Sequence, residues 1–95
     1  MTNEHSPERY GIVLAPGARR ALEERLPEGA AGAAWEFIVG PLAQRPHRVG
    51  AQLRAPFEGL WRARRGEYRV RYRSDDITRQ VIILDVSHWR DAYRS

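Results

Sequence analysis

Residues 59–74 read GLWRARRGEYRVRYRS, six arginines in sixteen positions set between aromatic and aliphatic side chains. Side chains alternate between the two faces of a β-strand, and this stretch alternates on both sides of Gly66. In residues 67–74, Tyr68, Val70 and Tyr72 share one face while Arg69, Arg71 and Arg73 share the other. In residues 60–65, Arg62 and Arg64 share a face with Leu60, opposite Trp61, Ala63 and Arg65. Gly66 marks a turn between the two runs. A hairpin therefore brings Arg62, Arg64, Arg69 and Arg71 onto one cationic surface, with Tyr68 and Tyr72 turned towards a core.

The rest of the chain supplies that core. After the hairpin, TRQVIILDVS (78–87) is an apolar strand, reached through a turn at Asp75 and Asp76. Before it, RYGIVLA (9–15) has a β-branched centre and ends at Pro16, which predicts a first strand. Pro16 then suits the first turn of a helix in which Ala18, Leu22 and Leu26 recur every four residues, up to Pro27. A longer helix is expected over 28–44, with Ala31, Trp35, Ile38 and Leu42 in the buried stripe, widened by Ala34 and Val39. Trp35 and Phe37 read as core residues. Gly40 and Pro41 interrupt that pattern and predict a kink or an end there. RPHRVGAQLRAPFEG (45–59) reads as a loop, with a short extended piece at 52–54. HWRDAYRS (88–95) suits a last helical turn, and residues 1–8 a flexible tail. The expected fold is α+β, ordered β-α-α-β-β-β with a short C-terminal helix: an N-terminal helical hairpin packed on a mainly antiparallel sheet.

The 95 residues make one domain, spanning 1–95, which buries about two-thirds of its unfolded surface and so has a modest stability margin. The formal charge is +4, and all sixteen basic residues are arginine. Guanidinium grips phosphate bidentately, but an Ala-, Arg-, Gly- and Pro-rich composition favours arginine everywhere, so the placement of the arginines says more than their number. Residues 54–73 hold seven arginines against Glu58 and Glu67, a local excess that exceeds the net charge of the whole chain. The chain has no cysteine, hence no disulfide, thiolate nucleophile or thiolate-held metal. No apolar run approaches ~18 residues and the start is polar, which predicts a cytoplasmic protein without a membrane span.

On residue patterns alone, the arginine strands are either a polyanion-binding sheet or a solvated face whose arginines pair with helix glutamates and guard against edge pairing. No phosphate-cradling glycine loop, usefully spaced carboxylate pair or Ser–His–Asp order is present. His5 and His47 form no metal-spaced pair, so no metal and no cofactor is expected.

GLWRARRGEYRVRY, followed by an apolar strand and VSHWRDAYR, resembles the RelE/ParE toxin superfamily, closest to its RelE-type ribosome-dependent mRNA interferases from type II toxin–antitoxin systems. GPL (40–42) with PHRVGAQLR (46–54) and the C-terminal tyrosine extend the likeness over most of the chain. The resemblance implies an endoribonuclease that enters the ribosomal A site and cuts mRNA by 2′-hydroxyl attack on the adjacent phosphorus. It implies a RelB-like antitoxin, the 70S ribosome and mRNA as partners, and operator DNA only through the antitoxin complex, with no membrane contact. Arg69 matches the central strand arginine that stabilises the transition state, Arg62 and Arg64 the basic positions of the preceding strand, and Tyr93 the terminal tyrosine that stacks on or orients the nucleotide. His88 is the histidine placed for proton transfer. Arg54, Arg65, Arg71 and Arg73 are candidate RNA contacts.

The chain departs from the family in two places. Trp89 stands where an arginine is common, leaving Arg90 to serve one position later and Trp89 to stack on a base. Arg62 stands where a lysine would act as base, and arginine stays protonated at neutral pH. The YoeB branch carries a glutamate where this chain has Ala51 and Gln52, so the proton acceptor stays open. Two further functions fit the same superfamily: a ParE-like inhibitor of DNA gyrase, and a degenerate toxin that serves as an antitoxin-binding co-regulator. ParE-type chains lack much of the arginine and tyrosine set present here.

Overall fold

The computed structural model describes residues 9–57 and 59–88. Its five strands are β1 (Gly11–Leu14), β2 (Ala51–Gln52), β3 (Trp61–Arg65), β4 (Tyr68–Asp75) and β5 (Gln80–His88). They form one sheet in the order β1-β5-β4-β3-β2, with β1 parallel to β5 and every other pair antiparallel. Helices α1 (Pro16–Arg20) and α2 (Glu28–Phe37) pack on one face of it, and a single-turn helix α3 (Pro46–Val49) leads into β2. The α+β expectation holds, with a fifth strand and a third helix added.

Pro16 opens α1, where its missing N–H has no intrahelical partner to lose. Ala18 of α1 and Ala21 of the π-helical segment that continues it (Ala21–Arg25) are fully buried, so this helical stretch approaches the sheet closely through small side chains. The core beneath combines Phe37, Ile38 and Leu42 of the second helix with Ala63, Tyr68, Val70, Tyr72, Val81, Ile83 and Val86 of the sheet. Trp35 is not part of it. It is 43% exposed, one turn-step off the buried stripe, while Phe37 is buried as expected.

Gly40 and Pro41 do not end the second helix. Residues Ile38–Leu42 continue it as a π-helical segment, in which the Ala43 amide donates to the Ile38 carbonyl. A proline ring clashes with the carbonyl four residues back and offers no amide proton, and the wider turn accommodates both. The loop expected after residue 45 is also more regular. Pro46 starts α3, and Ala51 and Gln52 pair with Arg62 and Trp61. Between them Gly50 is required by close approach: a Cβ there would sit 2.9 Å from the Arg62 carbonyl oxygen and collide with the Tyr72 hydroxyl. Gly66 turns the β3–β4 hairpin with a φ of 59°.

The pairing of β4 with β5 shifts between Arg71 and Tyr72, which face Asp85 and Ile83, so Leu84 is an extra, bulged residue. Strict alternation along β5 would put Asp85 on the same face as Val81 and Ile83. The bulge moves Val86 to the core face and turns Asp85 and Ser87 away from it. Among the described residues no helix is long and apolar enough to cross a membrane. The expected tail at 1–8 and the last helical turn at 89–95 lie outside the described residues, as does Glu58.

Candidate nucleic-acid interface

The sheet face away from the helices carries the arginines. In the β3–β4 register Arg64 stands directly opposite Arg69 and Arg62 opposite Arg71, with Ala63 opposite Val70 on the buried side. Arg73 follows on the same face, its guanidinium against Gly59. Arg62, Arg64, Arg71 and Arg73 are exposed, and Arg69, at the centre of β4, is half-buried. Directly opposed side chains in an antiparallel pair have Cβ atoms about 4.5–5.5 Å apart, and like charges so placed are destabilising. Two consecutive arginine pairs are therefore an arrangement that folding alone disfavours.

Charge compensation on this face is sparse. Asp85 faces Arg71 across the sheet, its Oδ2 3.3 Å from the guanidinium Nη2. No carboxylate lies within 4.0 Å of Arg62, Arg64, Arg69 or Arg73 among the described residues. The Nε of Arg69 is buried and has no hydrogen-bond partner there. Nearly all buried polar groups are satisfied, and a guanidinium donates its N–H groups to anionic oxygens where they can reach it. Ser87 stands opposite Arg69 on β5 and adds a hydroxyl to the same face.

Two sequence-derived candidates fall elsewhere. Arg65 pairs with Tyr68 on the helix side of the sheet, and its guanidinium lies 5.0 Å over the Phe37 ring. This is the side expected from alternation with Trp61 and Ala63, and it separates Arg65 from the other strand arginines. His88 is likewise opposite Tyr68, on the helix side, and its Nε2 is 3.2 Å from Glu67 Oε1. The β5 bulge thus carries His88 to the face away from Arg69. Arg54 is exposed in the segment after β2. Trp89, Arg90 and Tyr93 lie outside the described residues.

Asp85 and Ser87 are the residues that sequence reasoning missed. The available signal was the break in apolar alternation at Leu84 and Asp85, which a strict two-residue period cannot satisfy. Tyr68 and Tyr72 are core residues, as the alternation predicts: the Tyr68 hydroxyl donates to the Ala33 carbonyl at 3.0 Å and that of Tyr72 to the Pro46 carbonyl at 2.6 Å. Burial raises both phenols, that of Tyr72 to about 12. Among the described residues no group of three or more His, Asp or Glu is placed to hold a metal. The face is thus equipped to bind phosphate and to balance charge developing on it.

The profile of the ParE toxin of type II toxin–antitoxin systems, parDE, matches residues 14–93. Two curated proteins of Mycobacterium tuberculosis (strain ATCC 25618 / H37Rv) are similar along most of their length. Toxin RelE is 43% identical over 94 residues, covering 99% of this chain and 93% of that protein. Toxin RelG is 44% identical over 85 residues, covering 90% and 97%. Among solved structures, the toxin–antitoxin complex RelBE2 from Mycobacterium tuberculosis contains a chain that superposes with a TM-score of 0.81 at 42% identity, over 84% of this chain and 91% of that one. An archaeal RelE–RelB complex from Pyrococcus horikoshii OT3 shares the fold, with a TM-score of 0.66 at 22% identity over 92% of this chain and 99% of that one.

Proposed function

Since the chain belongs to the RelE/ParE family of toxins from type II toxin–antitoxin systems, we propose that it is a ribosome-dependent endoribonuclease that cuts mRNA in the ribosomal A site and so stops translation. The observation that carries this reading is the pair of opposed arginines, Arg64–Arg69 and Arg62–Arg71, on one largely uncompensated face. Structure alone gains nothing from that arrangement. A phosphodiester does.

The reaction needs the 2′-oxygen in line with the phosphorus and the departing 5′-oxygen. The 2′-oxygen forms a bond to phosphorus, the bond to the 5′-oxygen breaks, and a 2′,3′-cyclic phosphate and a 5′-hydroxyl result. Negative charge grows on the phosphoryl oxygens meanwhile. Arg69, at the centre of β4 opposite Arg64 and with no carboxylate within 4.0 Å among the described residues, is the residue assigned to that charge, and Arg62 and Arg64 position and neutralise the same phosphate. Arg71 and Arg73 hold the flanking backbone, and Tyr93 orients the nucleotide being cut. His88 faces the other side of the sheet, which argues against it as the proton acceptor. Of the carboxylates that the described part of the face provides, Asp75 at the end of β4 accepts the Ile77 and Thr78 amides and Asp85 is occupied by Arg71.

The proposed partners are the 70S ribosome, its mRNA and a RelB-like antitoxin whose acidic side chains neutralise the arginine face, with operator DNA reached only through that complex. Primer extension on a reporter mRNA in a translation extract tests the reading. Wild type should cut within codons only when ribosomes are present, and folded Arg69→Ala should lose about 10²–10³-fold in cleavage rate, the usual effect of removing one group that stabilises developing charge. Intact message with folded, antitoxin-free wild type, together with loss of gyrase supercoiling, would favour the ParE-like alternative.

A further inference from the structure

A second cationic surface lies on the other side of the sheet. The Pro46 carbonyl at the start of α3 accepts the Tyr72 hydroxyl from the core face, so α3 sits on the helix side. Beside it is a cavity of about 520 Å³, lined by Tyr10, Gln44, Arg45, His47, Arg48 and Arg79 among others. Arg45 and Arg48 come from the α3 segment and Arg79 from the β4–β5 turn. None of the three is within 4.0 Å of a carboxylate among the described residues.

Two features distinguish this cavity. The nearby carboxylate, Asp76, is already engaged: its Oδ1 accepts the Ser74 hydroxyl at 2.8 Å and the Tyr10 hydroxyl at 2.9 Å, and lies 3.2 Å from His47 Nε2. The Arg79 guanidinium is held 4.5 Å over the Tyr10 ring, on a backbone with a φ of 57°, which limits its freedom before any ligand arrives. Two other cavities, by contrast, carry carboxylates in their own lining. Arg65 shares its cavity with Glu36 and Glu67, and Arg19 and Arg20 share theirs with Glu23 and Glu24.

We propose that the α3 cavity is a second phosphate-binding site, which takes phosphodiesters of RNA outside the segment that reaches the arginine sheet. The choice of RNA rests on the function proposed above. Guanidinium groups recognise phosphate in a bidentate way. An acidic peptide would want an apolar anchor, and the apolar lining residues Tyr10 and Pro46 are themselves buried. Because the two cationic surfaces lie on opposite sides of a molecule 22 Å across at its thinnest, an RNA that engages both must curve round it. A large folded RNA does so readily.

The test uses the full chain and an oligouridylate of about 30 nucleotides with 2′-O-methyl groups, which cannot undergo 2′-hydroxyl attack, with affinity measured by fluorescence anisotropy across a salt series. Arg45→Gln/Arg48→Gln should weaken binding about tenfold and reduce the slope of log K against log salt by about 1.4, the loss of two single-strand phosphate contacts. Both side chains are exposed and form no bond with a described residue, so melting curves should match wild type; the single Arg48→Gln variant, expected to lower the slope by about 0.7, serves should the double one fold poorly. Arg79→Gly, which suits the positive φ, should act in the same direction. Unchanged affinity and slope in folded variants would overturn the proposal, as would a loss confined to an acidic antitoxin peptide. Wild type that binds RNA through this cavity yet never cuts message would instead remove the nuclease reading and leave the site standing.

Discussion

Arg69 and Arg64 illustrate a conflict between what folding favours and what a phosphate requires. Opposed like charges cost stability, and neither residue has a carboxylate within 4.0 Å among the described residues. Replacing either should relieve the repulsion. Arg64→Ala is expected to raise stability by about 0.2–1 kcal/mol while lowering cleavage; Arg69→Ala should do the same with a larger loss of activity. Thermal melts beside single-turnover cleavage check this, and a variant that loses both stability and activity would mean that the arginine has a structural role. Asp85 sits between these tendencies. It compensates Arg71 without reaching the Arg64–Arg69 pair, so the centre of the face keeps its charge.

At the scale of elements, α3 and β4 lock together through Tyr72 and Gly50. Gly50→Ala should destabilise the fold by about 1–3 kcal/mol, because the new methyl group meets the Arg62 backbone and the Tyr72 hydroxyl in a filled region. Urea denaturation measures this, and a neutral effect would show that α3 can move off the sheet at no cost. Tyr72 also gives the contact a pH signature. Burial pushes its phenol up to about 12, so above the ordinary value near 10 the unfolded chain has released a proton that the native chain retains. Stability is therefore complete below about pH 10 and declines by about 2–3 kcal/mol as pH rises towards 12. Tyr72→Phe should reduce that alkaline decline, leaving the share of Tyr10 and Tyr68, whose phenols burial also raises, while lowering stability at pH 7 by about 1–3 kcal/mol, since the buried Pro46 carbonyl loses its donor. Equilibrium unfolding at pH 7, 10 and 11.5 separates the two effects.

The described residues form a small sheet with helices on one side and, on the other, a charged surface. The helices and sheet supply one core. Salt should act on such a molecule in two opposed ways. Raising NaCl from about 50 to 300 mM screens the arginine pairs and should raise the melting temperature, while RNA affinity falls steeply through counterion competition. Calorimetry and anisotropy on one sample series check both. A melting temperature that falls with salt would show that attractive ion pairs, such as Arg71–Asp85, outweigh the repulsion.

The alternation of residues 59–74 determined, without any tertiary information, that Arg62, Arg64, Arg69 and Arg71 share a face and that Tyr68 and Tyr72 are buried. It did so because side-chain period along a strand is a local property of the backbone, independent of what packs on the sheet. The helical stripe was legible for the same reason, though its centre lies on Ala34, Phe37 and Ile38, which leaves Trp35 about 100° off Ala34 and partly exposed. What alternation could not decide was β5. There a single bulged residue, Leu84, reverses the faces of everything that follows, moving Asp85 and Ser87 to the arginine surface and His88 away from it. A bulge is chosen by the pairing of two strands and by the core that Val81, Ile83 and Val86 must fill together, so only the assembled sheet fixes it. The α3 cavity has the same origin: Tyr10, Arg48 and Arg79 are distant in sequence, and only the tertiary fold brings their charges to one place.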